Sequence, residues 1–181
     1  MSMGSIRLHA SPAPALGVVV FDLERALLAA PVSSELWASA EIALYNRRPQ
    51  RLALAAARVR AARALRTNGV AQVRQQLAKA PLMRGAREAV ALLQRGGVVC
   101  GLASLGWDFG LEAVAERLGI EHYLASSWEP SGGVVHIWQE DEDEYPSRLA
   151  AQFRLSPTRS TLVRGRVPLL RLAHELLQRW G

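Results

Sequence analysis

Two hydrophobic periods alternate along the chain. From Gly17 to Asp22 (Gly-Val-Val-Val-Phe-Asp) an unbroken apolar run rich in valine ends in a carboxylate. Such a run fits a strand buried on both faces at the centre of a parallel sheet. Helical spacing follows. Ser33 or Ser34 can cap a helix through Leu36, Ala40, Ala43 and Leu44. Leu52 to Arg66 is alanine-rich, with Leu54, Ala57, Ala61, Ala64 and Leu65 on one side and Arg51, Arg58, Arg63 and Arg66 on the other. Asn68-Gly69 stops that helix, and Val70 to Lys79 forms another, closed by Pro81.

Beyond Arg84 the pattern switches to alternating helix and strand. Ala86 to Arg95 reads as a helix ended by Gly96-Gly97, and Val98 to Ala103 as a second buried strand. Ser104 to Asp108 reads as a turn, Phe109 to Leu118 as a helix, and Ile120 to Ala125 as a short strand. Gly132-Gly133 sits where a hairpin can turn before Val134 to Trp138. A helix over 147–153, a strand over 161–163 and a closing helix over 169–180 complete the chain. This alternation predicts an α/β fold, a three-layer sandwich with a mainly parallel sheet flanked by helices. The core then comprises 16–29 and 81–181, a helical cap occupies 30–80, and 1–15 is a flexible lead-in.

Composition narrows the class. The chain has 181 residues, half of them apolar and 21% charged, as in a globular domain. The single cysteine, Cys100, lies inside an apolar run and excludes an internal disulfide, which points to a reducing, cytoplasmic setting. The N-terminal segment has prolines at 12 and 14 and no long apolar stretch, so neither a signal peptide nor a membrane span is expected. The net charge is +6. Between Arg47 and Arg87 there are ten arginines, one lysine and no Asp or Glu. That patch suits an anionic partner, and nucleic acid could be met through Arg51, Arg58, Arg63 and Arg66. The same stretch has no Phe, Tyr or Trp for base stacking, so a solvated helical face explains it as well.

Candidate chemistry centres on Asp22 and Glu24, spaced i, i+2. On a continuing strand they point to one side, at the carboxyl end of a sheet, where open α/β folds bind ligands. Two carboxylates there can act as nucleophile and acid/base, can form half of a Mg²⁺ site, or can be no more than acidic residues in the first turn of a helix. The acidic run 140–144 reads as a solvated loop. Histidines 9, 122, 136 and 174 have no ligand-like spacing, Cys100 reads as a buried thiol, and Trp107 and Trp138 serve either a crevice wall or the core.

Four pieces in order resemble the haloacid dehalogenase superfamily, in its phosphoserine-phosphatase-like branch. Val-Phe-Asp-Leu-Glu at 20–24 is similar to that superfamily's strand-end Asp-x-Asp signature, and the helical stretch after it stands where the family carries its small cap. Residues 82–109, from Leu-Met-Arg-Gly-Ala-Arg-Glu through Gly-Leu-Ala-Ser-Leu-Gly-Trp-Asp-Phe, resemble the cap-return helix, second strand and Ser-x-Gly-aromatic-Asp-Phe turn. Residues 155–163 and 168–173 resemble the approach to, and exit from, the final acidic loop. The resemblance implies an aspartyl-phosphate mechanism with Asp22 as nucleophile and Glu24 as acid/base. It implies that Ser104, helped by the backbone N–H groups of Leu105 and Gly106, binds the phosphoryl group. Glu for Asp at 24 moves the proton donor outward by about 1.5 Å, and such shifts are costly.

Two departures weaken the implied chemistry. The family's lysine before the last strand has no counterpart, since Lys79 is the only lysine and Arg148 is the nearest cation in place. The final loop reads Val163-Arg164-Gly165-Arg166-Val167, with no carboxylate to complete a Mg²⁺ site that Asp22 begins. A phosphatase fold without efficient phosphatase activity is therefore expected, holding a phosphorylated small molecule or an anionic macromolecule. In its sharper form Arg164 takes the metal's place and pairs with Asp22. The alternative is a Mg²⁺-dependent phosphomonoesterase using Asp22, Glu24, Ser104 and Arg148, with Glu142 or Asp143 as substitute metal ligand. A nucleic-acid-binding module is the third reading.

Overall fold

The computed structural model describes residues 14–30, 69–128, 135–136 and 144–181. The first two helices of the expected cap, the arginine face from Arg51 to Arg66, Trp138, and Glu142 and Asp143 lie outside the described residues. Strand β1 (Gly17–Asp22) is buried along its whole length. It runs parallel between β2 (Val98–Trp107) and β5 (Ser160–Val163). Strand β3 (His122–Trp128) is parallel to β2, and β4 (Val135–His136) pairs antiparallel with β3. The sheet order is β4-β3-β2-β1-β5, with the apolar β1 at the interior of the parallel part. A mainly parallel α/β sandwich is thus observed as expected.

The alternation of β1 divides the core. Val19 and Phe21 face one helical layer, and Val18 and Val20 face the other. The first layer is formed by α1 (Gly69–Lys79), α2 (Ala86–Arg95), α3 (Asp108–Leu118) and α5 (Leu169–Trp180). Helix α2 buries Ala86, Ala89, Val90 and Leu93, and α5 buries Leu169, Ala173, Leu176 and Trp180, so each presents one stripe to the sheet. The second layer has α4 (Tyr145–Gln152), which sets Tyr145, Leu149 and Ala150 against Val18 and Val20. No helix among the described residues is long and apolar enough to cross a membrane.

Helix α3 is buried on more than one stripe because α1 covers its outer side. Arg117 on α3 donates to the carbonyls of Leu77 and Ala80, at 2.9 Å each, satisfying the end of α1 where helical carbonyls lack partners. Arg74 on α1 pairs with Glu112 and Glu116 on α3. Where the chain departs from β1 it meets its own return. Leu28 bridges Leu82, Met83 N–H donates to the Leu27 carbonyl at 2.7 Å, and Ala29 N–H to that of Pro81 at 2.8 Å. The segment between thus leaves and re-enters the core side by side.

Two expectations need correction. Ser104 to Trp107 is not a free turn: β2 continues to Trp107, with a register shift between Ala103 and Trp107 before Trp107 pairs with Ser126. Burial of Trp107, stacked on Phe109 with ring centroids 6.4 Å apart, holds that extension in the core. Asp22 and Glu24 also do not share a strand face, because β1 stops at Asp22 and a wide turn carries Glu24.

Gly17 opens β1 under the indole of Trp180, and a Cβ at this position would run into that ring. Trp180 is buried and anchors the last turn of α5, so it has little room to give. Gly17→Ala is expected to destabilise the fold by about 1–3 kcal/mol through overpacking. Urea denaturation should show a lower midpoint with an unchanged slope.

Candidate active site

The carboxyl end of β1 is shaped by one wide turn. Leu23 to Leu27 closes with the Leu28 N–H donating to the Leu23 carbonyl at 2.9 Å. Leu23, Ala26 and Leu27 are fully buried, so the turn is pinned by its apolar members, and Glu24 and Arg25 are half-buried. Asp22 caps the turn. Its Oδ1 accepts the Arg25 N–H at 2.9 Å, its carboxylate also accepts the Glu24 N–H, and Arg25 Nε lies 3.3 Å from Oδ2.

Asp22 is itself 2% exposed. Burial pushes its carboxyl above the ordinary aspartate value, against the opposing pull of the Arg25 N–H and guanidinium, the Arg164 charge and the Glu24 N–H. Desolvation outweighs four favourable contacts, so the carboxylate is held at a cost.

Register brings Ser104 to the same place. Asp22 pairs with Ala103 across β1 and β2, leaving Ser104 one residue beyond it. The Ser104 hydroxyl donates to Glu24 Oε1 at 2.6 Å, in the range of a charge-assisted bond, and accepts the Gly106 N–H at 2.9 Å. On the other flank Val163 pairs with Phe21, so Arg164 emerges beside Asp22. Arg164 is exposed and its charge reaches Asp22, and Arg25 makes an ion pair with Asp22.

Of the residues singled out by sequence, Asp22, Glu24 and Ser104 come together in one hydrogen-bonded cluster, with Arg164 at its edge. The Leu105 backbone lies in the extended part of β2, and the Gly106 N–H, expected to serve a phosphoryl group, is turned to Ser104 Oγ. Arg148 is exposed on α4. Cys100 is buried, its thiol pushed up to about 12 by desolvation, so it is no nucleophile at neutral pH. His122 is buried edge-on to the Phe153 ring, with centroids 5.3 Å apart, and His174 is exposed.

Arg25 is the residue that sequence reasoning passed over. Its signal was present: an arginine three residues after a strand-ending aspartate can fold back on it once the chain turns.

The described residues do not fit a divalent metal. Mg²⁺ needs an octahedral oxygen shell with carboxylate support. Among the described residues no three His, Cys, Asp or Glu side chains converge on one point. Both Asp22 oxygens face Arg25, and Glu24 Oε1 accepts the Ser104 hydroxyl. A cation about 2.1 Å from Oδ2 lies no more than about 5.4 Å from Arg25 Nε, where the pair repels by roughly 6 kcal/mol at an effective dielectric of ~20.

The raised Asp22 pKa has a defined consequence. A folded-state pKa above the unfolded one means that the folded chain holds more protons between the two values, so stability falls as pH rises through that window. The window opens at the ordinary value of 3.8 and ends above it. Urea denaturation of wild type and Asp22→Asn from about pH 4 upward should show the wild type losing ground to the variant as pH rises. A difference moving the other way contradicts the assignment of burial as the dominant cause.

No family model matches the sequence, and no curated protein matches it. Solved structures do. A phosphoserine phosphatase in apo form superposes with a TM-score of 0.59 at 16% identity, over 87% of this chain and 80% of that one. A HAD family hydrolase from Salmonella enterica serovar Typhi gives 0.61 at 15% identity, over 83% of this chain but 56% of its own. Phosphoserine phosphatase from T. onnurineus gives 0.55 at 18% identity, over 93% and 98% of the two chains. At these identities the likeness is one of fold. The chain shares its α/β fold with these phosphoserine phosphatases and this HAD family hydrolase.

Proposed function

We propose that this protein keeps a phosphatase fold to bind a phosphorylated or otherwise anionic partner at the end of β1, and that it has lost efficient phosphatase activity. The observation that carries this reading is the engagement of Asp22 on both oxygens by Arg25, with the main-chain N–H on Oδ1 and Nε at 3.3 Å from Oδ2. An in-line nucleophile needs an oxygen aimed at phosphorus with its charge undiminished, and phosphoryl transfer depends on positioning and charge neutralisation. Here the neutralising charge sits on the nucleophile. Glu24, the acid/base in the alternative, is bonded to Ser104 rather than open to a leaving group. Arg164 at the rim supplies positive charge for an anion.

One observation favours the enzymatic alternative: Asp22, Glu24 and Ser104 do converge. A Mg²⁺-dependent phosphomonoesterase could use them if Arg25 moved aside and a carboxylate outside the described residues held the metal. Nucleic-acid binding through Arg51, Arg58, Arg63 and Arg66 rests on the sequence pattern alone.

Phosphate release from a panel of phosphomonoesters with Mg²⁺ separates the first two readings. Wild type and Asp22→Asn are expected to give the same background rate. A Mg²⁺-dependent rate abolished in Asp22→Asn would establish the enzyme instead. Binding of inorganic phosphate, followed by calorimetry, should weaken about tenfold or more in Arg164→Ala, the scale of one charge-assisted hydrogen bond.

A further inference from the structure

We propose that Arg25 is the resident cation of the strand-end site, occupying by charge the position a divalent metal needs at Asp22, so that the site takes a phosphate group without Mg²⁺. The metal-exclusion half stands on geometry alone; the metal-free binding half rests on the anion-binding reading above.

Three features of the structure lead to this assignment. The Arg25 main chain is tied to Asp22, its N–H bonded to Oδ1 at 2.9 Å. Its neighbours in the turn, Leu23, Ala26 and Leu27, are fully buried and fix the backbone. From that anchored Cα the side chain folds back to place Nε 3.3 Å from Oδ2. One residue thus occupies both oxygens of the buried carboxylate, one through the backbone and one through the guanidinium.

The surroundings reinforce the exclusion. Arg164 adds a second positive charge from the β5 side, set there by the pairing of Val163 with Phe21. The second carboxylate, Glu24, is committed to Ser104 at 2.6 Å. A divalent ion would have to displace a guanidinium, face another, and bind with no third carboxylate from the described residues. An anion meets the opposite balance: the Arg25 guanidinium lies against the carboxylate, the Arg164 charge reaches it from β5, and a guanidinium's planar fork matches phosphate oxygens.

The test uses the full chain and Mn²⁺ as the metal probe, with free Mn²⁺ read by electron paramagnetic resonance. Wild type should leave the free-ion signal with no loss that depends on Asp22. Arg25→Gln should bind Mn²⁺ at least about tenfold more tightly, and adding Asp22→Asn should remove the gain. Equal Mn²⁺ affinity in wild type and Arg25→Gln overturns the proposal. Should Arg25→Gln not fold, the wild type alone decides: Mn²⁺ binding lost in Asp22→Asn, whichever further carboxylates assist, overturns it. Calorimetry of inorganic phosphate, in EDTA and in Mg²⁺, checks the second half. Equal affinity is expected, and a Mg²⁺-dependent gain of about tenfold contradicts it. Phosphate that binds in neither condition counts against the anion-binding reading, while the Mn²⁺ titration still judges Arg25.

Discussion

The site depends on a carboxylate placed at the end of a strand that has no exposed side. Asp22 closes β1, the strand flanked on both edges by parallel neighbours and on both faces by helices, and only 2% of its surface remains open. Taking a carboxylate out of water costs several kcal/mol unless hydrogen bonds and countercharge offset it. The turn that follows supplies both. Its N–H groups from Glu24 and Arg25 point at the carboxylate, and the Arg25 side chain returns a positive charge to it. The wide turn, the direction of Glu24 and the bond from Ser104 all follow from where β1 ends.

The same constraint separates fold from chemistry. A parallel sheet with β1 at its centre needs only buried valines, amphipathic helices and glycines at the stops, and the sequence retains these. Phosphoryl transfer also needs a nucleophile aimed at phosphorus and positive charge placed on the transferring group. At this strand end the cation is covalently part of the chain. The fold can therefore be shared with solved structures at identities of 15–18% without the chemistry following from it.

Most of the fold was legible because it rests on local periodicity. Gly17–Asp22, Ala86–Arg95 and Leu169–Trp180 fall at the expected limits, where apolar spacing and a glycine, proline or charged stop agree. The misjudged pieces depend on tertiary contact. Ser104 to Trp107 carries two small residues and reads as a turn, but the buried Trp107 draws it into the sheet. Asp22 and Glu24 look like two teeth of one strand, and only the closing bond from Leu28 to Leu23 reveals that the strand has already ended. At the site, Asp22, Glu24 and Ser104, singled out from the sequence, lie together, and Arg25 joins them as a cation on Asp22 that the sequence reading did not name. A partner three residues on becomes readable only once the turn that brings it back is known.

The central claim is that Asp22 is held by Arg25 and does not attack phosphorus. The most direct measurement is acid-quench trapping of a phosphorylated enzyme, with a ³²P-labelled phosphomonoester or acetyl phosphate and Mg²⁺. The account predicts that wild type retains no more label than Asp22→Asn. Stoichiometric, alkali-labile label that disappears in Asp22→Asn would contradict it, and would show that Arg25 gives way during turnover.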